Sequence, residues 1–350
     1  MIITYFRSSS YNAHDMCEMQ YFSEYVLGWK GPGGIKADKG TIVHKVLEIL
    51  AICKKALQDK EGILLPIEDE IVGTIHPDNI DIHDICEKVY QYYVKHKKQD
   101  WTDKDFKDCK AWVQKVLDFN NGAFNPLNMH IIAPEQAFDI PIQEPWSTYQ
   151  YVLDGQKIDG FLSLKGTIDL IVQPSPGILE IVDWKTGRRL NWATGEEKTH
   201  EKLSRDPQLM MYFLAAHHLY PDAEQIMVTI YFINDGGPFS ICFDKSQIAD
   251  TYEMLRKKFE YIRDTKVPKC SVSWKCKKFC HQGTHSFDQT TDGIRPIFEF
   301  RENQTCALGT KMTICEQLKF ELARKAMDRT IKEYKNPNHS IGTYTNPGGI

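Results

Sequence analysis

The chain has 350 residues, enough for one large domain or two ordinary ones with a sizeable core. Its formal net charge of −4 excludes a global basic field, so any contact with nucleic acid must come from a local patch. No apolar run approaches the ~20 residues that span a membrane, and MIITYFRSSS lacks a signal-peptide core, so a cytoplasmic setting with no membrane contact is expected. Ten cysteines without a secretion signal suggest thiols at a metal or cluster site rather than disulfides. There is no Gly-Lys-Thr/Ser phosphate loop, hence no visible ATP motor, and no internal repeat.

In chain order, residues 8–29 read as a helix led by a serine run, with Ser10 or Asn12 as cap. Its aromatic stripe of Tyr11, Tyr21, Phe22 and Tyr25 is core by default, and Cys17 sits inside it. Residues 31–40 are a turn-rich loop. A helix from about Thr41 to Leu57 carries Val43, Val46, Leu47 and Leu50 on one face and His44 one turn in. A histidine placed so is more often structural than a ligand. Two further helices, Asp84 to Lys95 and Asp103 to Phe119, fall in a helical segment, 58–130, with Cys53, Cys86 and Cys109 as structural thiols. Strands follow at Ile131 to Ile142, Tyr149 to Leu153 and Gly160 to Leu164. Glu135 in the first of these could be a further metal-site acid, but an exposed strand glutamate is the expectation.

The centre of the sequence is GTIDLIVQPSPGILEIVDWKTG, residues 166–187. Two β-branched apolar runs flank a Pro/Gly turn, which favours a hairpin over a helix. The first strand holds Asp169. The second ends in Asp183-Trp184-Lys185, with Asp183 and Lys185 on one face and Trp184 on the other. Hard oxygen ligands beside a lysine suit a divalent cation and an anionic substrate, though Asp-x-Lys alone is common.

Residues 188–204 are a polar, mobile loop. Asp206-Pro207 then opens a helix with Gln208 and Tyr212 on one face. Strands at Val228 to Ile233 and Phe239 to Phe243 flank a Gly-Gly-Pro turn, and 246–264 is an amphipathic helix. From Lys245 to Cys280 ten Lys/Arg face four Asp/Glu, the most basic stretch, which is a solvated face by default and a phosphate-facing strip on the functional reading. Cys270, Cys276 and Cys280 fall within eleven residues, dense enough to indicate a metal or cluster. Residues 286–311 are poorly patterned, a charged helix runs from about Met312 to Tyr334, and 336–350 reads as a disordered tail.

Four elements now stand in order: Gly40-Thr41-x-x-His44, Gly166-Thr167-Ile168-Asp169, Asp183-Trp184-Lys185-Thr186-Gly187 and Gln208-x-x-x-Tyr212. The series resembles the RecB-type branch of the PD-(D/E)XK nuclease superfamily over roughly Ser8 to Cys280. Ser10-Tyr11 followed by Cys17 resembles the N-terminal cysteine motif of its iron–sulfur members, the CRISPR-associated RecB-like exonucleases and the AddB nuclease domain. The resemblance implies an α/β, restriction-endonuclease-like fold with a mixed central sheet flanked by helices, a helical insertion, and a cluster clasping the N- and C-terminal segments. Its parts would be 1–57 (first helices), 58–130 (helical subdomain), 131–264 (nuclease core), 265–288 (cysteine segment) and 289–350 (extension).

By the same resemblance, His44, Asp169 and Asp183 with the Trp184 backbone carbonyl would bind Mg²⁺ or Mn²⁺. Lys185 would position the attacking water, and Gln208 and Tyr212 would orient Lys185 or hold the DNA backbone. Cys17, Cys270, Cys276 and Cys280 would ligate a 4Fe–4S cluster. The last three are spaced unlike the close pair common in that family, and zinc on Cys17, two other cysteines and a histidine is the alternative. The expected activity is a metal-dependent DNA exonuclease acting on single strands or free ends, in recombination, phage DNA processing or CRISPR adaptation, with a helicase or recombination partner. The alternatives are a non-catalytic DNA-binding adaptor of the same fold and a structure-specific endonuclease.

Overall fold

The structure is a computed structural model that describes residues 1, 3–26, 33–153, 156–191, 194–265, 268, 284–290, 293–299 and 312–313. In chain order these form β1 (Tyr5–Phe6), α1 (Ser8–Met16), α2 (Glu18–Tyr21), α3 (Ile35–Gln58), β2 (Ile67–Asp69), β3 (Gly73–Ile75), α4 (Ile82–His96) and α5 (Asp103–Asp118). Then follow β4 (Ile131–Pro141), β5 (Thr148–Leu153), β6 (Gln156–Phe161), β7 (Ser163–Ser175), β8 (Ile178–Lys185), α6 (His200–Leu203), α7 (Pro207–Leu219) and β9 (Gln225–Phe232). The series ends with β10 (Gly237–Phe243), α8 (Gln247–Asp264), β11 (Thr284–Thr290), β12 (Gly293–Glu299) and β13 (Met312–Thr313). The chain divides into two compact units, Gly33–Asp139 with Gly166–Thr251, and Met1–Pro32 with Ile140–Lys165 and Tyr252–Ile350.

The first of these units carries the motif residues. Its sheet runs β7-β8-β9-β10, with β4 also paired to β7. β7 and β8 are antiparallel, as the Pro/Gly turn demands, while β9 lies parallel to β8 because the 188–219 segment crosses between them. The sheet is therefore mixed, and helices cover it. One face, with Leu170, Val172, Val182, Trp184, Tyr231 and Ile233, packs into a core shared with α3, α4 and α5. Val43, Val46, Leu47 and Leu50 are fully buried there, as their spacing on α3 requires, and Cys53, Cys86 and Cys109 belong to the same core. On α7, Phe213 stacks on Phe243 of β10 at 5.0 Å.

Two glycines of the motif series have a packing reason. Gly166 lies under the Phe138 ring: a Cβ there would sit 2.5 Å from Cζ and 2.9 Å from Cε1 of a buried side chain. Gly166→Ala should therefore cost about 1–3 kcal/mol, the usual range for overpacking. A thermal midpoint equal to wild type would refute this account.

Several expectations are corrected. α3 begins at Ile35, not Thr41, so most of the supposed 31–40 loop is helix. The second glycine, Gly40, is inside that helix because a Cβ would meet Thr186 Oγ1 at 2.8 Å, and close approach outweighs helix propensity. The 58–130 segment also holds the β2–β3 hairpin. The polar segment after β8 is structured by a Leu190–Glu197 bridge and by α6.

In the second unit β1 pairs in parallel with the first residues of β7, and β5 and β6 form a hairpin. α1 caps at Arg7 rather than at Ser10 or Asn12. Ser10 occupies the third helical position, and its hydroxyl accepts from Arg7 N–H at 2.9 Å and donates to Arg7 O at 2.8 Å. The expected single helix breaks at Cys17, whose backbone is extended. Lys258 of α8 lies 4.5 Å from the Tyr11 ring centroid and pairs with Asp15, and Tyr261 donates to Glu18 at 2.6 Å. The supposedly unpatterned 286–311 stretch includes strand residues of β11 and β12. Met312 and Thr313 pair with β12 instead of starting a helix. The rest of that expected helix and the 336–350 tail lie outside the described residues.

Candidate active site

Antiparallel pairing of Leu170 with Val182 sets Asp169 and Asp183 one step further along the ladder, side by side on adjacent strands. Asp169 Oδ2 accepts the Trp184 backbone N–H at 3.0 Å and lies 3.3 Å from His44 Nδ1 on α3. The His44 ring meets Trp184 edge-on, 6.3 Å between centroids, so a fully buried tryptophan fixes where that imidazole sits.

Asp183 is 1 % exposed and has three donors on Oδ1: Lys185 Nζ at 2.9 Å, Gln208 Nε2 at 2.9 Å and Tyr212 OH at 3.2 Å. Gln208 also donates to the Tyr212 hydroxyl at 3.0 Å, and that hydroxyl reaches Thr167 O at 3.1 Å. The i, i+4 pair on α7 thus orients the carboxylate, with Lys185 as its counter-ion. Asp206 caps α7 by accepting Gln208 N–H at 2.9 Å while pairing with Lys198. The Lys185 ammonium stands 2.7 Å from Asp183 Oδ2 as well, but out of line for a hydrogen bond, so this buried oxygen has a charge beside it and no donor.

The electrostatics follow from burying two carboxylates together. Burial pushes the Asp183 carboxyl up, Asp169 adds to this, and Lys185 opposes it. Burial would raise Asp169 too, but His44, Lys185 and the Trp184 N–H hold it below its ordinary value. Burial disfavours charge on His44 and Lys185, yet the carboxylates prevail and raise both. Tyr212 is held well above its ordinary value by burial and by Asp183, so its hydroxyl stays protonated and donates.

An open cleft of about 610 Å³ lies beside His44 and Asp169, lined also by Gly40, Lys45, Glu48, Glu70 and Glu135. Lys45 bridges Glu48 and Asp69, each at 2.9 Å, tying the β2–β3 hairpin to α3 at the rim. Glu135 is not the exposed strand residue expected. It is half-buried in this cleft, and its backbone is left-handed, φ 44°, where an unbranched polar side chain carries a real conformational cost. The alternation of β4 fails there, which turns the carboxylate toward Asp169. An acid directly after Pro134 in an apolar strand was the available signal.

Burial, then Asp169 and Glu48, lift Glu135 from 4.5 to about 7. The native state therefore binds more protons than the unfolded chain between those values, and stability falls as pH rises through the window. Discounting for partial exposure, Glu135→Gln should gain about 1 kcal/mol at pH 8 in chelator, a rise of about 1–2 °C. At about pH 4 the gain should vanish. Equal midpoints at both pH values would contradict this.

Among the described residues no three His, Cys, Asp or Glu side chains close to ligand distance: Lys185 stands against Asp183, and His44 is turned on Asp169. The donor set nonetheless fits a hard cation. Asp183 Oδ2 is buried without a donor, a second carboxylate is its ladder neighbour, and a histidine is bonded to that neighbour. The Trp184 backbone N–H donates to Asp169 Oδ2 at 3.0 Å, and the Trp184 carbonyl follows at the same strand end. Cys17 is half-buried in the other unit, whereas Cys270, Cys276 and Cys280 lie outside the described residues.

A mixed sheet thus delivers an Asp-x-Lys strand end, a second aspartate from its antiparallel neighbour and a helix-borne histidine to one place. The sequence profile of the PD-(D/E)XK nuclease superfamily matches residues 8–306, and the chain belongs to that superfamily. No curated protein matches it. No helix among the described residues is long and apolar enough to cross a membrane.

Proposed function

We propose that the chain is a divalent-cation-dependent deoxyribonuclease of the RecB-type branch, an exonuclease acting on DNA with free ends. The observation that carries this reading is the Asp183–Lys185 pair, held on one carboxylate oxygen by Gln208 and Tyr212. His44, Asp169, Asp183 and the Trp184 backbone carbonyl would hold Mg²⁺ or Mn²⁺, which supplies Lewis acidity toward the scissile phosphate and acidifies a bound water.

The remaining work falls to the chain's own groups. Lys185, kept charged by Asp183, orients the attacking water and offsets the charge that grows on the phosphate oxygens. Gln208 and Tyr212 fix the carboxylate and thereby the lysine. His44 steadies Asp169. Preorganisation of this kind acts without reorientation at the moment of bond breaking.

A 4Fe–4S cluster on Cys17, Cys270, Cys276 and Cys280 belongs to the same reading and rests on the sequence alone. Iron and sulfide content of anaerobically purified protein would separate it from zinc.

The activity is tested on end-labelled single- and double-stranded linear DNA and a closed circle, with Mn²⁺, Mg²⁺ or chelator. Metal-dependent loss of linear DNA that spares the circle supports the exonuclease. Cutting of the circle moves the reading to an endonuclease. Protein that binds DNA and cuts nothing under any metal overturns the enzyme reading in favour of an adaptor.

A further inference from the structure

Residues 186–206 leave the site at the end of β8 and return to it at the start of α7. The excursion begins next to Lys185 and ends two residues before Gln208, and both of those side chains bond Asp183 Oδ1 at 2.9 Å. Its own cations fasten it, to itself and to the β9–β10 hairpin. Arg189 donates its N–H to Asp235 at 2.8 Å, its guanidinium pairs with Glu197 and reaches Lys198 O at 2.9 Å, and it lies over the Phe239 ring at 4.5 Å. Lys198 pairs with Asp206, and Lys202 with Glu196 at 2.8 Å.

Two cations break this pattern. Arg188 and Arg205 are exposed, and among the described residues neither guanidinium has a carboxylate or hydrogen-bond partner, while every other lysine and arginine from Lys185 to Arg205 has one. They stand at the two feet of the excursion. Arg188 is three residues after Lys185, and Arg205 three before Gln208, so each backbone position is within about 11 Å of its anchor. A guanidinium presents a planar fork matched to phosphate oxygens, whereas a lysine's role is already filled here by Lys185.

We propose that Arg188 and Arg205 bind the backbone phosphates on either side of the scissile one, gripping a single DNA strand independently of its sequence. This rests on the nuclease reading above and deepens it. The contact is purely electrostatic positioning: it contributes to binding of substrate and transition state alike, so it appears in KM and not in kcat.

The test is fluorescence anisotropy of labelled single-stranded oligonucleotides of two unrelated sequences, in chelator, over about 50 to about 200 mM salt. The full chain is compared with Arg188→Ala, Arg205→Ala, the double variant, and Lys60→Ala as a remote exposed control. Each arginine variant should lower the slope of log K against log salt by about 0.7, the double by about twice that, and equally for both sequences. Lys60→Ala should keep the wild-type slope. In the cleavage assay the arginine variants should raise KM at near-unchanged kcat. Should an alanine variant lose the wild-type thermal midpoint, Arg188→Gln and Arg205→Gln replace it.

Wild-type slopes in the double variant, with intact binding by the parent, would overturn the phosphate grip and leave the nuclease reading standing. A parent chain that neither binds nor cleaves DNA would overturn both. A slope change confined to one sequence would also refute the proposal, because backbone contacts carry no base information.

Discussion

Lys185→Ala should lower single-turnover cleavage about 100- to 1,000-fold, the range seen when one preorganised electrostatic group is removed from a phosphoryl or acyl site. The same variant should still take up Mn²⁺. Lys185 sits 2.7 Å from Asp183 Oδ2, the oxygen that has no donor, so it competes with any cation for that carboxylate. Its removal leaves a buried carboxylate without its strongest compensating charge, which makes a cation more welcome. The expected result is thus a split: lost turnover with an undiminished or enlarged Mn²⁺-induced rise in thermal midpoint. A variant that lost both together would show that Lys185 is needed to assemble the carboxylates, and the role assigned to it here would fall.

Asp183→Asn should lose turnover and the cation response together. The amide keeps an acceptor for Lys185, Gln208 and Tyr212, whose bonds all converge on one oxygen, so the local hydrogen bonds survive. What disappears is the charge. Cleavage should fall about 1,000-fold, equivalent to about 4 kcal/mol of transition-state stabilisation. The cation-induced stabilisation should vanish too. In the wild type that increment is about 2.7 kcal/mol at a hundredfold excess over Kd. Calorimetric scans with and without Mn²⁺ measure it without any turnover. An Asp183→Asn protein whose midpoint still climbed with Mn²⁺ would mean that the cation is held elsewhere.

Much of this site was readable in advance because it is made of local patterns. The Asp-x-Lys strand end depends only on period-two alternation, and the Gln208–Tyr212 face only on helical spacing, so both could be placed without tertiary information. His44 needed its partners: on an amphipathic helix alone it is a core-face histidine, and only the bond to Asp169 makes it part of a site. Glu135 was misjudged because a left-handed residue in a strand is not encoded in composition. Gly40 was misread as a loop for a related reason. Helix propensity argues against glycine, and the overriding cause is a contact with Thr186, 146 positions away in the chain. The break at Cys17 had no visible marker either, since neither glycine nor proline stands there.

Asp206 holds both ends of one lever. It grips Lys198 in the excursion and, through its cap, the first turn of the helix that carries Gln208. A pull on the excursion is therefore delivered to the residue that steadies Asp183. Removing the Asp206 carboxylate would loosen, in one substitution, both the excursion and the glutamine that steadies Asp183.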